Sequence, residues 1–188
     1  MAFDEELDGR VAEVVSNRGA QEDRMPGLEG RVIVERLVGV LDEAVHGASG
    51  SATFFVDNRP DAGLFGCLAD VSAAEASRAV AGTSVAAHVH HVAFAMDASA
   101  GWMAGDRTPR DWDSSWNTTT VDDESWLLLV ERLHDGYGNL RAAIGSGAVD
   151  DAETFGEAVG AIAHIAYHLG SIWQKLALLR KTTARGPA

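Results

Sequence analysis

The chain is short of cysteine, of positive charge and of long apolar runs, and each shortage excludes a class of function. Its single cysteine, Cys67, has no partner for an internal disulfide and cannot build a Cys-rich zinc site. Any metal must therefore be held by imidazole or carboxylate. Fifteen Lys plus Arg against 28 Asp plus Glu leave a formal charge of −13. Such a charge repels the phosphate backbone, so no nucleic-acid partner is expected. No stretch reaches the roughly 18 to 20 continuous apolar residues of a membrane span. Even the Ala/Val-rich run from Val85 is broken by His88, His90, His91 and Asp97, and no membrane association is expected. Residues Met1 to Arg10 are acidic and lack the basic start and apolar stretch of a secretory signal. The expectation is a cytoplasmic protein.

What is present suits one domain. The 188 residues, 46% hydrophobic and 23% charged, can bury a core without disulfides and are too apolar for global disorder. The reading is a single domain over 1–188, with an N-terminal extension at 1–27 and a flexible tail at 182–188.

Four stretches carry helical periodicity. The first, from about Leu28 to Val45, has Val34, Leu37, Val38, Leu41 and Val45 at spacings of three and four and ends at Gly47 and Gly50. A connection of about 35 residues follows, far beyond the 2 to 8 usual between bundle helices. It contains the β-prone run Thr53 to Val56, a turn-rich string from Asp57 to Gly63, and Ser72-x-x-Glu75, a capping box that opens a short helix to about Arg78. The second long helix starts at Thr83 or Ser84, carries Val85, Val89, Val92, Met96 and Met103 on one stripe and stops near Gly105. In the loop that follows, Trp112 and Trp116 are expected to pack over a helix end. The third helix opens after Thr120 on Asp122, Asp123 and Glu124, which suit its positive N-terminal dipole. Its stripe runs from Trp126 through Leu129, Leu133 and Leu140 to Ile144, closed by Gly145 and Gly147. The fourth spans about Ala152 to Lys181, with Phe155, Val159, Ile162, Ala166, Leu169, Trp173 and Leu176 as the buried line. Its basic Lys175, Arg180 and Lys181 lie where the C-terminal dipole favours them. An all-α four-helix bundle with a long crossover between helices 1 and 2 is expected.

The chemistry rests on the seven histidines. His164 and His168, four apart on the fourth helix, stack on one face and can reach one metal. Ile165 follows His164 where the His-Glu-x-x-His pattern of zinc proteases needs glutamate, so that chemistry is absent. On the second helix His88, His90 and His91 point in different directions, because each residue turns about 100° from the last. One ligand from there would complete three neutral nitrogens with positions left open for water or substrate. Periodicity favours His88, which is nearer the centre of the Val85/Val89/Val92 stripe.

At these residues the sequence resembles a family. The run His90-His91-Val92-Ala93 on an amphipathic second helix, with His164-x-x-x-His168-Leu169-Gly170-Ser171-Ile172 late in the last, resembles the DinB/YfiT-like superfamily of metal-dependent four-helix bundles. The loop Asp111 to Trp116 and the run Leu68 to Ser72 leading into Glu75 add to the likeness, which spans about Leu28 to Lys181. The resemblance implies a divalent metal, Zn with Ni or Fe as alternatives, on His91, His164 and His168. It also implies a homodimer and a small-molecule substrate or low-molecular-weight thiol, in a transferase or hydrolase reaction. A noncatalytic metal- or ligand-binding stress protein is the alternative. Neither Asp97, nearly two turns after His91, nor Glu157, two turns before His164, is placed as a general acid or base.

Other chemistries are thinner. Glu43-x-x-His46 and Glu131-x-x-His134 have the spacing of a carboxylate-bridged di-iron bundle, but the second helix has no Glu to complete it. Cys67 has no activating neighbour and is read as a small buried hydrophobe. Phe94, Trp102, Trp126 and Trp173 are read as core.

Overall fold

A computed structural model describes residues 30–184 except 60, 147, 148 and 150, and for 182–184 the backbone alone. The extension at 1–27, the start of the first helix at Leu28, Gly147 and the last four residues of the expected tail lie outside the described residues. Every regular element among the described residues is helical: α1 (Gly30–His46), α2 (Leu64–Leu68), α3 (Ala73–Ala76), α4 (Val85–Met103), a 3-10 turn (Ser114–Trp116), α5 (Asp123–Gly145) and α6 (Ala152–Ala184). The fold is all-α. None of these helices is long and apolar enough to cross a membrane.

Side chains fix the helix starts. Ser72 accepts from the Glu75 amide, Ser84 from Ala87 and Asp122 from Ser125, each occupying an amide that the first helical turn leaves unpaired. α4 is the central element. It packs against α5, α6, α3 and the 3-10 turn, and residues on nearly every face of it are buried, as a helix that is apolar all round must be. α1 packs against α5 and α6 as well as α2. The core runs through Leu41, Val45, Val89, Met96, Leu133, Leu140, Ile165 and Ile172.

Two details of the reading need correction, and the β-prone run Thr53 to Val56 forms no strand. The Phe54, Phe55 and Val56 amides instead donate to the carboxylate of buried Glu43, Phe54 at 2.8 Å and Phe55 at 2.9 Å. With no strand beside them, a carboxylate takes the ladder's place. The segment around Cys67 is helical (α2), and its entry is tight: a Cβ on Gly63 would lie 2.4 Å from the His46 carbonyl carbon. The buried line of α6 is Ala158, Ile162, Ile165, Leu169, Ile172, Leu176 and Leu179, while Phe155 and Val159 are exposed. The expected and observed lines share Ile162, Leu169 and Leu176. They differ at the alternate positions, where Ile165 and Ile172 face the core in place of Ala166 and Trp173.

Candidate metal centre

α4 and α6 bring three imidazoles together. The Nε2 atoms of His91 and His164 lie 3.1 Å apart, and those of His164 and His168 lie 3.0 Å apart. A ligating nitrogen from each falls within 4.8 Å of the other two. Two nitrogens of a tetrahedral zinc site, each about 2.05 Å from the ion, are about 3.3 Å apart. The cluster is already close to that spacing.

The remaining ring nitrogens decide which atoms stay free. Ser115 Oγ donates to the Trp112 carbonyl at 2.6 Å, so at 2.7 Å from His91 Nδ1 it accepts. His91 thus carries its proton on Nδ1 and keeps the Nε2 lone pair. The Nδ1 atoms of His168 and His88 are 2.9 Å apart, and His88 Nε2 is 3.0 Å from Thr83 Oγ1. With its Nε2 lone pair free for a cation, His168 donates through Nδ1 to His88, and His88 donates through Nε2 to Thr83. His88 therefore stands behind His168 rather than in the cluster. The family pattern and the stripe argument divided over His88 and His91 because both are buried, each 7% exposed. His90 donates from Nδ1 to the Ser115 carbonyl at 2.6 Å, pinning the turn that holds His91.

Burial keeps the cluster neutral. It pushes His91 down to about 4, with the charges of His164 and His90 adding to the effect. His168 falls to about 3 by burial and then by His164, His88 and His91. Burial also lowers His164. His88 drops to about 4 through burial, Lys175 and His91. Neutral imidazole is the form that binds metal. Donor type, spacing, protonation and outer partners all fit a divalent cation held by His91, His164 and His168.

The Trp116 ring stacks on His91 with centroids 4.1 Å apart, roofing the cluster. Trp112 remains half exposed and meets Phe94 edge-on. A cavity of about 640 Å³ opens over the imidazoles, with Val80, Thr83, Tyr167, Ser171, Lys175 and Leu178 in its wall. No Asp or Glu among the described residues lines it.

The other candidates lie elsewhere. Asp97 pairs with Arg132 at 3.5 Å, and Glu157 accepts from Ser99 Oγ at 2.5 Å. Glu43 is the loop clamp described above. His46 and His134 flank Phe65, the first edge-on at 5.2 Å and the second stacked at 3.6 Å, and no di-iron set assembles among the described residues. Of the four aromatic residues read as core, Trp126 is buried, with Nε1 donating to the Val71 carbonyl at 2.8 Å. Phe94, Trp102 and Trp173 are partly exposed. Ser115, Thr83 and Lys175 were not legible as site residues, because the first two act from turns and Lys175 has an ordinary place in a helix's last turns. No family model, curated protein or solved structure matches the chain.

Proposed function

We propose that the chain is a metal-dependent protein of the DinB/YfiT-like type. On this reading its long helices form the four-helix bundle with crossover, and His91, His164 and His168 hold a divalent cation, Zn with Ni or Fe as alternatives. The observation that carries it is the convergence of three neutral Nε2 atoms at the floor of a cavity, two of the three rings being held from behind by Ser115 and His88. When bound, the cation supplies a positive charge that lowers the pKa of a water or thiol entering its open position. The chain's own residues orient the ligands and shield the floor with Trp116.

The acid-free wall favours a thiol over a water. A metal-bound water reaches a pKa near 7 by itself, but hydrolysis also calls for a group that passes a proton to the leaving atom, which no carboxylate of the cavity provides, whereas thiol transfer needs only the thiolate that the cation would hold. The chemistry is therefore a transfer to or from a low-molecular-weight thiol. The same observation is compatible with a noncatalytic metal- or ligand-binding protein, which predicts tight metal binding and no turnover of a thiol and ester panel. The family reading also brings a homodimer, which light scattering on the purified protein tests.

Elemental analysis of protein purified without a nickel column tests the site. One divalent metal per chain is expected, lost in His91→Ala, His164→Ala and His168→Ala and retained with weaker affinity in His88→Ala. Full retention in the His91 and His168 variants, or loss in His88→Ala alone, overturns the assignment.

A further inference from the structure

The cavity over the histidines follows one face of α6. His164, His168, Ser171, Lys175 and Leu178 recur at spacings of four and three, and all of them line it. Lys175 departs from the rest of the wall. It is 7% exposed, and its Nζ donates to the carbonyls of Val80 and Thr83, the latter at 3.2 Å. Those carbonyls belong to a tight turn with Ala81 and Gly82 at φ 51° and 86°. Two of the three ammonium protons are thereby used. Among the described residues no carboxylate lies within ion-pair distance of Nζ. A buried cation without an anion is costly, and here it stands beside a cavity that no acidic residue among the described ones lines, in a protein with 28 of them.

We propose that the cavity takes a thiol bearing a carboxylate at its far end, with sulfur over the three histidines and the carboxylate on Lys175. The proposal rests on the metal-site reading above and adds the substrate's charge. Lys175 lies seven residues beyond His168, about 10 Å along the axis of an α-helix between the two backbones, and its side chain leans back toward the histidines to reach Thr83, so a ligand of several bonds bridges the two. Val80, Tyr167 and Leu178 stand around the path beside Ser171 and give the cavity wall apolar surface suited to a methylene chain. The third ammonium proton completes a charge-assisted hydrogen bond to the carboxylate, while Val80 and Thr83 hold the amine in place. Binding involves no covalent change at Lys175.

The test uses the full chain loaded with cobalt(II) and reads the sulfur-to-cobalt absorption in the near ultraviolet. Two probes are titrated: 6-mercaptohexanoate and its uncharged counterpart 6-mercaptohexanol. The acid should bind about tenfold more tightly than the alcohol, the gain of one hydrogen bond to a charged group. In Lys175→Met that preference should fall below about twofold, and Lys175→Arg should restore part of it, with cobalt content unchanged in both. Should Lys175→Met fail to fold, the acid-to-alcohol ratio of the unaltered protein still decides. Equal binding of acid and alcohol, or a preference that survives in Lys175→Met, overturns the proposal and leaves the metal site standing. Cobalt bound with no response to any thiol overturns the thiol reading and this proposal together. A failure to bind cobalt overturns the metal site itself.

Discussion

Two cavities flank the last turns of α6, and Gln174 lines both. The smaller, about 380 Å³, holds Cys67 among Arg59, Asp61, Asp70 and Arg180. Its charges are balanced: Arg59 pairs with Asp61 at 3.6 Å, and Arg180 reaches Glu75 at 3.7 Å. The larger holds the imidazoles and one buried ammonium with no acid among the described residues in its wall. Burial acts on both by the same rule, favouring the neutral form, and the outcome differs with the group. It pushes the Cys67 thiol up to about 12, removing the thiolate that attacks or ligates. It pushes His91 and His168 down to about 4 and about 3, preserving the lone pairs that ligate. One cavity is silenced by the effect that prepares the other, so any reacting thiol has to come from outside the chain.

The largest expected effect separates the two cavities outright. His168→Ala should lose metal affinity by more than about 100-fold, since even an outer partner is worth 10 to 100-fold, while Cys67→Ala should keep full metal content. Metal analysis of the two variants side by side checks this, and equal retention erases the contrast.

Next comes pH. Buried histidines with lowered pKa values stay neutral in the folded chain while the unfolded chain takes up protons below about 6.5. The unfolded state then binds more protons, so stability falls with pH from about 6.5 down to the folded values of about 4 and about 3. Each such histidine contributes at most about 1.4 kcal/mol per pH unit. Metal-free protein should lose about 2 kcal/mol or more between pH 7 and pH 5 in denaturant titrations, and His88→Ala with His168→Ala should flatten the slope. A wild-type slope of zero would place the histidines in water.

Smaller again, Ser115→Ala should weaken metal binding about tenfold, because His91 loses the acceptor that fixes its Nδ1 proton. Competition with a coloured chelator reads this. An unchanged affinity would mean that Trp116 stacking alone orients the ring. On metal affinity the smallest effect, none, belongs to the quiet cavity. Cys67→Ala should cost less than about 2 kcal/mol, and in the unaltered protein Cys67 should alkylate at least about 100-fold more slowly at pH 8 than a free cysteine. Labelling at the free rate would show that the thiol is not shielded as described.

Long helices were legible because periodicity accumulates over many turns: Val85, Val89 and Val92 on α4 and Leu133, Leu140 and Ile144 on α5 are buried as their spacing requires. α2 was not, since five residues give little more than one turn of pattern. In α6 two interleaved lines share Ile162, Leu169 and Leu176, and packing against α4 and α1 decides between them. At the site, His164 and His168 could be placed by their spacing alone. His88 against His91 could not, because the distinction lies in which ring meets His164 and which meets Thr83, a matter of tertiary position. Lys175 reads as a helix-dipole partner in sequence, and its isolation from carboxylates exists only once the turn at Val80 to Thr83 closes over it.

The most direct measurement is a cobalt(II) titration of the metal-free chain followed by visible absorption. A one-to-one endpoint with the intense bands of a four- or five-coordinate nitrogen-rich site, lost in His91→Ala, is the expected result. A weak octahedral spectrum, or the same spectrum in His91→Ala, would contradict the tri-histidine centre.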